Sequence, residues 1–300
     1  MTNRHRPAAG FTLVEAVVAI VITGILLGIV AVFIANPVQG YVDSVRRAEL
    51  TDAADVALRR MLRDIRLALP NSLRVTTSGG VHYIEFIMTG AGRRYRDAAD
   101  GSSAGTFLTW TGAASCATTP DNCQFDVLGA MPANPAVAVG DFVVVHNLGP
   151  GYEPGDAYQR DQAHCDATPA SPGCNIAKVN GVAGNTVTLD ANPFAFQTPP
   201  LPSPGTRFQI VPGAVRAVTF ACPATGSGNL MRYWNYGFNA AQATPPAGGS
   251  SAPLAGGASC VVEYTANATG RHGLLFVQLT LGTGEESVSL FQQIHVDNAP

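Results

Sequence analysis

One acidic residue interrupts an otherwise apolar segment near the start of this 300-residue chain. From Phe11 to Ala35, the only formal charge is that of Glu15. A carboxylate at the centre of a membrane-spanning helix costs roughly 2.5–3.5 kcal/mol, and less near the end of the helix. We therefore expect a positive group to neutralise Glu15, and we expect a partner subunit to supply it.

A second pattern, GSSAG from Gly101 to Gly105, formally fits the G-x-S-x-G motif of hydrolases around Ser103. That motif needs a strand before the serine and a helix after it. Here RRYRDAAD precedes it and TFLTW follows, so a chance match is favoured. The histidines are scattered singly, with no H-E-x-x-H motif and no phosphate-binding loop. The sequence therefore predicts no catalytic residue and no enzyme.

Three acidic residues, Glu153, Asp156 and Asp161, lie in one loop and could hold Ca²⁺ through their oxygens. They lack the EF-hand spacing, so a solvated acidic loop is favoured over a calcium site. His164 beside Cys165 has no second pair of ligands, and the chain has no C-x-x-C motif, which argues against zinc. We expect no metal and no cofactor.

The composition indicates one membrane span and one sizeable globular body, or two small ones. Hydrophobic residues make up 46% of the chain and charged residues only 13%, while Gly and Pro are frequent. The net charge is -3, and Lys and Arg form no long basic stripe. Because nucleic-acid-binding modules carry such a stripe, nucleic acid is not an expected partner.

The apolar segment is long enough to cross a membrane. About 25 residues at 1.5 Å each exceed the roughly 30 Å hydrocarbon core of a bilayer. The preceding leader contains Arg4, His5 and Arg6 and no acidic residue. Positive flanks stay on the cytoplasmic side, so the rest of the chain is expected outside the cytoplasm.

An amphipathic helix is predicted after the span. The apolar residues at steps of four and three are Leu50, Ala54, Leu58, Met61, Ile65 and Ala68. Asp55 is expected to pair with Arg59, four residues on. Arg60 and Asp64 have the same spacing. Pro70 is expected to end the helix.

Both segments together predict one helix from Phe11 to Leu69, roughly 90 Å long, with bends expected at Gly24, Gly28 and Pro37. The first half would face lipid, and the second half would pack on the body. The predicted fold is α+β: a long N-terminal membrane-spanning helix packed on a mainly antiparallel β domain.

From Val75 onward, short segments rich in β-branched and aromatic residues predict antiparallel strands. These segments are GVHYIEFIMTG, DFVVVHNL, NTVTLD, RFQIVPGAVRAVTFAC, NLMRYWNYGF, SCVVEYTA and GLLFVQLTLGTGEESVSLFQQIHV. The last one predicts a hairpin that turns at GTGEE. Gly- and Pro-rich composition predicts long loops in 89–105 and 147–174, and a nearly structureless loop in 239–259.

Six cysteines in an extracytoplasmic body favour disulfides. Fifteen connectivities are possible, and the sequence order suggests pairing between neighbours. The neighbouring pairs are Cys116 with Cys123, Cys165 with Cys174, and Cys222 with Cys260. The last pair would close the longest loop.

The residues GFTLVE, from Gly10 to Glu15, closely resemble the processing signature of type IV prepilins and type II secretion pseudopilins. The signature is a glycine, an aromatic residue, a short stretch, a glutamate at the fifth residue after the glycine, and then the span. The resemblance implies cleavage between Gly10 and Phe11 by a prepilin peptidase, followed by N-methylation of Phe11.

The resemblance also implies an assembly role for Glu15, which in the family meets the N-terminal amine of a neighbouring subunit. The new α-amino group, with an ordinary pKa of about 8, would be largely cationic at neutral pH. The four-residue spacing suggests that Phe11 and Glu15 share one helical face. The alternative is a glutamate that reaches the membrane interface from a plain anchor helix.

The segment from Pro37 to Val75 resembles the O-type minor pilin of the mannose-sensitive haemagglutinin (MSHA) pilus system, and more broadly the J-type pseudopilin of type II secretion. The implied partners are other minor and major pilins, the inner-membrane assembly platform and the peptidase. The implied location is the inner membrane with a periplasmic body before assembly, and the filament tip or cell surface afterwards.

The expected organisation is a leader at 1–10, a transmembrane helix half at 11–36, an amphipathic half at 37–70 and a β-rich domain at 71–300. Two classes of function follow. The first is a minor pilin or pseudopilin that initiates or caps a filament. The second is a membrane-anchored binding module, such as an adhesin, or a tethered hydrolase.

Overall fold

The computed structural model describes residues 10–98, 105–111, 116, 120–161, 165, 173–266, 272–283 and 286–299. Residues 1–9 of the expected leader lie outside this part. The chain divides into two compact units, Met1–Leu50 and Thr51–Pro300. The second unit contains every strand of the described part of the chain, and we call it the body.

One helix, α1, runs from Leu13 to Ile65 and continues through Pro37. It ends before the predicted end at Leu69. The backbone N–H groups of Leu67 and Ala68 donate to carbonyls three residues earlier, at 3.0 Å each, so the last turn tightens. A residue before proline avoids the helical conformation, which explains why the helix stops ahead of Pro70.

The part of α1 that belongs to the body buries one face. Its buried residues are Ala54, Ala57, Leu58, Met61 and Ile65. The predicted stripe is therefore correct over this range, while Leu50 and Ala68 are only half-buried and Leu69 is buried instead. The spacing of the buried residues is that of a helix with one apolar side.

Two carboxylates on this part of α1 behave differently. Asp55 pairs with Arg59 at 2.7 Å, as the four-residue spacing predicts. Asp64 was expected to pair with Arg60 but instead accepts from Nε of Arg232 at 2.7 Å. Arg232 lies at a distant position in the sequence, so local spacing could not indicate it. This partly buried pair ties the helix to the sheet.

The body contains thirteen strands in the described residues. They are β1 (Arg74–Ser78), β2 (Val81–Ile87), β3 (Ala91–Tyr95), β4 (Gln124–Leu128), β5 (Phe142–Val144), β6 (Ile176–Ala183), β7 (Thr186–Leu189), β8 (Arg207–Val211), β9 (Ala217–Pro223), β10 (Gly228–Trp234), β11 (Ser250–Thr265), β12 (His272–Thr283) and β13 (Glu286–Asp297). Every pairing among them is antiparallel. The α+β prediction is therefore confirmed.

Seven strands form one sheet in the order β1-β2-β9-β10-β11-β12-β13. β2 and β9 are neighbours in this sheet, with Ile87 opposite Ala217, although about 130 residues separate them in the chain. The other six strands lie between them in sequence. They form a closed barrel in the order β3-β4-β7-β6-β5-β8. The barrel is thus an insertion between two paired strands of the sheet.

Side chains fill the barrel interior. Its buried core consists of Tyr95, Leu108, Cys123, Phe125, Val127, Val143, Val145, Ala177, Val179, Val187, Leu189, Phe194, Phe208 and Ile210. Phe125 and Phe208 meet edge to face, with ring centroids 5.4 Å apart. Aromatic pairs favour such edge contacts, so the interior is a packed core.

A second apolar cluster joins the barrel to the sheet. It comprises Leu69, Ile87, Phe142, Val144, Ala157, Tyr158, Cys165, Cys174, Ile176, Val211, Ala217 and Phe238. The Asn147 side chain reinforces this junction, since its Nδ2 donates to Pro70 O at 2.7 Å and its Oδ1 accepts from the Ala157 N–H at 3.0 Å. The barrel is therefore docked on the sheet by both packing and hydrogen bonds.

Two loop predictions were wrong. The segment predicted as a long loop at 89–105 contains β3, and the nearly structureless segment at 239–259 contains the first half of β11. In both cases, backbone pairing with a neighbouring strand gives the segment its structure, and this pairing does not require apolar side chains. The predicted hairpin is correct, and β12 pairs with β13 up to Thr283 opposite Glu286.

Three disulfides join the cysteines that are neighbours in sequence order. They are Cys116–Cys123, Cys165–Cys174 and Cys222–Cys260, with sequence separations of 7, 9 and 38. The Cys222–Cys260 bond links β9 to β11, and its loop contains β10. Both of its cysteines are buried, at 1% and 2% exposure.

We expect Cys222→Ser to destabilise the body more than Cys116→Ser, by about 1.5 kcal/mol in the chain-entropy account, because its disulfide closes the longer loop. Chemical unfolding of the full-length variants in detergent measures this difference. Equal losses of unfolding free energy would contradict the expectation, as would free thiols in the unmodified protein.

Candidate functional site

The processing and assembly residues lie at the start of α1. The backbone N–H of Ala16 donates to Thr12 O at 3.1 Å, so Thr12 is the cap residue that precedes the helix. The Thr12 Oγ1 accepts from the backbone N–H of Glu15 at 3.3 Å. This bond is one half of a capping box, in which a threonine is followed three residues later by a glutamate.

Glu15 therefore occupies the first turn of the helix. Its side chain is exposed, and the positive end of the helix macrodipole favours a carboxylate there. The capping role of Thr12 was not predicted, although the T-x-x-E spacing indicates it. The local structure thus holds Glu15 in place without covering its carboxylate.

Phe11 lies before the helix and is 74% exposed. The expectation that Phe11 and Glu15 share a helical face is therefore wrong, because helical spacing applies only from Leu13 onward. Gly10 is also exposed, and an added Cβ there would meet nothing within 4 Å. The bond between Gly10 and Phe11 is accordingly accessible.

The helix that follows exposes its apolar residues on all sides. Between Leu13 and Ile34, exposure of the large apolar side chains ranges from 48% to 81%. Among the described residues, α1 alone is long and apolar enough to cross a membrane, with a mean hydropathy of 3.1 over its most apolar window. A helix that is apolar all round suits a lipid environment or a bundle of similar helices.

Comparison with known protein families bears on this segment directly. Residues 5–31 match the prokaryotic N-terminal methylation motif. The methylation motif includes Gly10, Phe11 and Glu15 and most of the exposed apolar helix. No curated protein and no solved structure matches the chain significantly.

The methylation motif supports a type IV pilin-like protein. It implies processing by a prepilin peptidase and assembly with other pilins. With the exposed helix, it fits a single-pass membrane-anchored protein whose body lies outside the cytoplasm. The pilin-like family of this motif is structural.

Inside the body, a cluster of polar groups surrounds Glu85, which is fully buried. Arg74 Nε donates to one carboxylate oxygen at 2.6 Å, and the Tyr236 hydroxyl donates to the other at 2.8 Å. The Tyr236 oxygen lies 2.6 Å from Thr219 Oγ1, which must then be the donor. The guanidinium of Arg74 also stacks on the Tyr158 ring, 3.7 Å from its centroid.

Burial raises the pKa of the Glu85 carboxyl, and the charge of Arg74 with the two hydrogen bonds partly opposes this rise. Burial, followed by the charge of Glu85, raises the pKa of Tyr236. Because Glu85 has no exposed surface, it cannot reach a solute. The cluster is therefore suited to holding β1, β2 and the segments around Tyr158 and Tyr236 together, and not to catalysis.

The candidate calcium ligands have other roles in the structure. The Asp156 carboxylate is buried and accepts from the Tyr158 N–H at 3.0 Å, while Asp161 Oδ2 accepts from the Phe238 N–H at 3.0 Å. Glu153 is exposed. Across the described residues, no three His, Cys, Asp or Glu side chains come together as a metal site.

Two further candidates, Ser103 of the hydrolase-like motif and His164, lie outside the described residues. Two ion pairs in the body, Arg74 with Glu85 and Arg232 with Asp64, were not predicted from the sequence. A charged residue within a β-branched segment, such as Glu85 in VHYIEFI, is the signal that could have indicated the first pair.

Proposed function

We propose that this chain is a minor pilin or pseudopilin that initiates or caps a filament of the type IV pilus or type II secretion class. The observation that carries the proposal is the methylation motif at the start of an exposed apolar helix, with Glu15 in the first turn. The finer assignment is to the O-type minor pilin of an MSHA system or the J-type pseudopilin of type II secretion, supported by the resemblance of Pro37 to Val75.

In this proposal, cleavage after Gly10 creates a cationic amine at Phe11, and the carboxylate of Glu15 meets the corresponding amine of a neighbouring subunit. Two charges brought together away from water attract strongly, but each is costly alone. The pair therefore specifies the register of the two helices more than it adds net stability. The Thr12 side chain already caps the helix. Capping therefore does not require the Glu15 carboxylate.

The inserted barrel supports an end position in the filament. A subunit at the end has neighbours on one side only, so a large body is accommodated there more easily than in a closely packed repeat. The proposed organisation places residues 1–10 in the leader, 11–36 in the membrane, and 71–300 in the periplasm before assembly and at the tip or cell surface afterwards. Its partners are other pilins and the inner-membrane assembly platform.

A second candidate function, a membrane-anchored binding module, is favoured by one observation. The sheet pairs β2 directly with β9, so the barrel is not needed to complete it. An insertion of this kind can carry a binding activity of its own. The two functions are compatible, and the assembly test below addresses the first.

We expect Glu15→Val to leave synthesis, cleavage and membrane insertion intact but to reduce crosslinking to partner pilins at least about tenfold, because the neighbour's amine loses its counter-charge. Glu15→Gln keeps size and hydrogen bonding but loses the charge, so it should fail nearly as badly. Crosslinking in membranes, with leader cleavage monitored in parallel, measures both.

Glu49→Gln is the matched control, since it removes an exposed carboxylate elsewhere on the same helix. It should crosslink normally. Normal crosslinking by both Glu15 variants would refute the assembly role of Glu15. It would favour the plain anchor helix, for which removal of a charge from lipid is neutral or helpful.

A further inference from the structure

Two arginines face each other on the outer surface of the barrel. Arg94 in β3 lies directly opposite Arg207 in β8, and both are exposed. Their neighbours Tyr95 and Phe208 belong to the barrel core, so the alternation of the strands turns the arginines outward. Like charges at directly opposed positions destabilise a sheet, so this arrangement needs a reason.

A histidine extends the pair to a row of three. Val144 in β5 pairs with Gln209 in β8, so His146, two residues further, comes beside Arg207. His146 and Arg207 also line the same small cavity. We call Arg94, Arg207 and His146 the basic row. The basic row crosses β3, β8 and the residues that directly follow β5.

Among the described residues, no ion pair neutralises the basic row. In the part of the chain that the structure describes, neither Arg94 nor Arg207 takes part in an ion pair. The segment 91–211 contains six Lys and Arg residues against ten Asp and Glu residues. Carboxylates are therefore plentiful in the insertion, yet none of the described ones forms an ion pair with Arg94 or Arg207.

The backbone beside the basic row is strained at two positions. His146 and Thr206 adopt left-handed conformations, with φ of 50° and 53°, which are costly for residues other than glycine. Thr206 is β-branched, for which the cost is high. Such strain persists where the surrounding structure enforces it, and it clusters at binding sites.

The strained segment orients the side chains of the row. Arg94 Nε donates to Gly205 O at 3.0 Å and to Thr206 Oγ1 at 3.2 Å, which anchors the inner edge of its guanidinium. His146 Nδ1 lies 2.9 Å from Pro202 O. Because a carbonyl oxygen only accepts, Nδ1 must carry the hydrogen. In the neutral ring, Nε2 is then an acceptor.

We propose that the basic row binds an anionic saccharide, with a sulfate or carboxylate between Arg94 and Arg207 and a sugar hydroxyl donating to His146 Nε2. Arginine is suited to such anions because its guanidinium offers paired N–H donors. The acceptor nitrogen of His146 favours a ligand with a hydroxyl donor, which inorganic sulfate lacks. This binding site is independent of Glu15 and of filament assembly.

The test uses the full-length chain in detergent and heparin oligosaccharides as the probe. We expect Arg94→Gln and Arg207→Gln each to weaken binding about tenfold, since each removes a charge-assisted contact. Lys178→Gln, which removes another exposed cation from the barrel, should change affinity less than about twofold. Heparin should bind at least about tenfold more tightly than inorganic sulfate at the same ionic strength.

Absence of heparin binding would overturn the proposal. An equal loss of heparin affinity in Lys178→Gln would also overturn it, because it would show that binding depends on diffuse charge attraction. Equal affinity for sulfate and heparin would overturn it as well.

The melting temperature of the ligand-free protein separates binding from folding. Arg207→Gln removes a like-charge contact and should leave the melting temperature unchanged or higher, whereas a fall accompanying the lost binding would assign Arg207 to the fold and contradict the site.

Discussion

Replacement of Gly10 by valine is expected to abolish leader cleavage and leave only the unprocessed chain in the membrane. In the proposed processing, the peptidase cuts beside Gly10, which has no side chain, and we expect a branched side chain there to block its approach. The fold itself tolerates the change, because a Cβ added at Gly10 meets nothing within 4 Å. Without cleavage, Phe11 has no free amine, so filament incorporation should be lost as well.

Gly24→Val provides the matched control, since an added Cβ there also meets nothing within 4 Å and the residue lies inside the span. This variant should be processed normally. Gel mobility and intact mass of the membrane-extracted proteins report cleavage. A mature product of normal size from Gly10→Val would show that Gly10 does not direct processing.

The second large effect is expected from Arg74→Met, which we expect to lower the unfolding free energy of the body by about 3–5 kcal/mol. Glu85 has no solvent exposure, and Arg74 is its counter-charge at 2.6 Å. Removal of one partner of a buried pair leaves the other charge uncompensated. Chemical unfolding of the full-length chain in detergent measures the loss.

The loss should depend on pH. Burial already raises the pKa of Glu85 above its ordinary value of 4.5, and removal of the Arg74 charge raises it further. A carboxyl with a raised pKa in the folded state binds its proton more tightly there, so stability falls as pH rises from about 4.5 through the folded pKa. Arg74→Met should therefore be more destabilising at neutral pH than near pH 5.

Arg59→Met is the control for a lost arginine. Its partner Asp55 lies at a similar distance, 2.7 Å, but the Arg59 side chain is 72% exposed, so the loss should stay below about 1 kcal/mol. The double variant Arg74→Met/Glu85→Gln should recover part of the loss because no buried charge remains. Equal losses in Arg74→Met and Arg59→Met would contradict the role assigned to the buried pair.

The predictable parts of the fold are those with a strong local pattern. The apolar run, the buried stripe around Leu58 and the hairpin of β12 and β13 follow from periodicity and turn residues alone. The inserted barrel does not follow from local patterns, because its strands are short. The barrel closes by pairing residues that are far apart in sequence, such as Ala91 and Ile210. A segment such as AGRRY carries no apolar alternation that would indicate a strand.

The residues of the candidate site likewise differ in whether the sequence predicts them. Gly10, Phe11 and Glu15 are recognisable because the motif is contiguous in sequence. The Arg74–Glu85 pair and the basic row are not recognisable from the sequence, because strand register alone brings their members together. A charge within an apolar segment can indicate that Glu85 is buried, but hydrophobic patterns do not identify its partner on another strand.

The N-terminus of the mature protein tests the central claim most directly. Mass spectrometry of the N-terminal peptide from the unmodified chain, purified from membranes of cells that contain the peptidase, identifies the first residue and its modification. A pilin-like subunit should begin at Phe11 and carry an N-methyl group. An intact Met1, or a first residue beyond the apolar helix, would contradict the account.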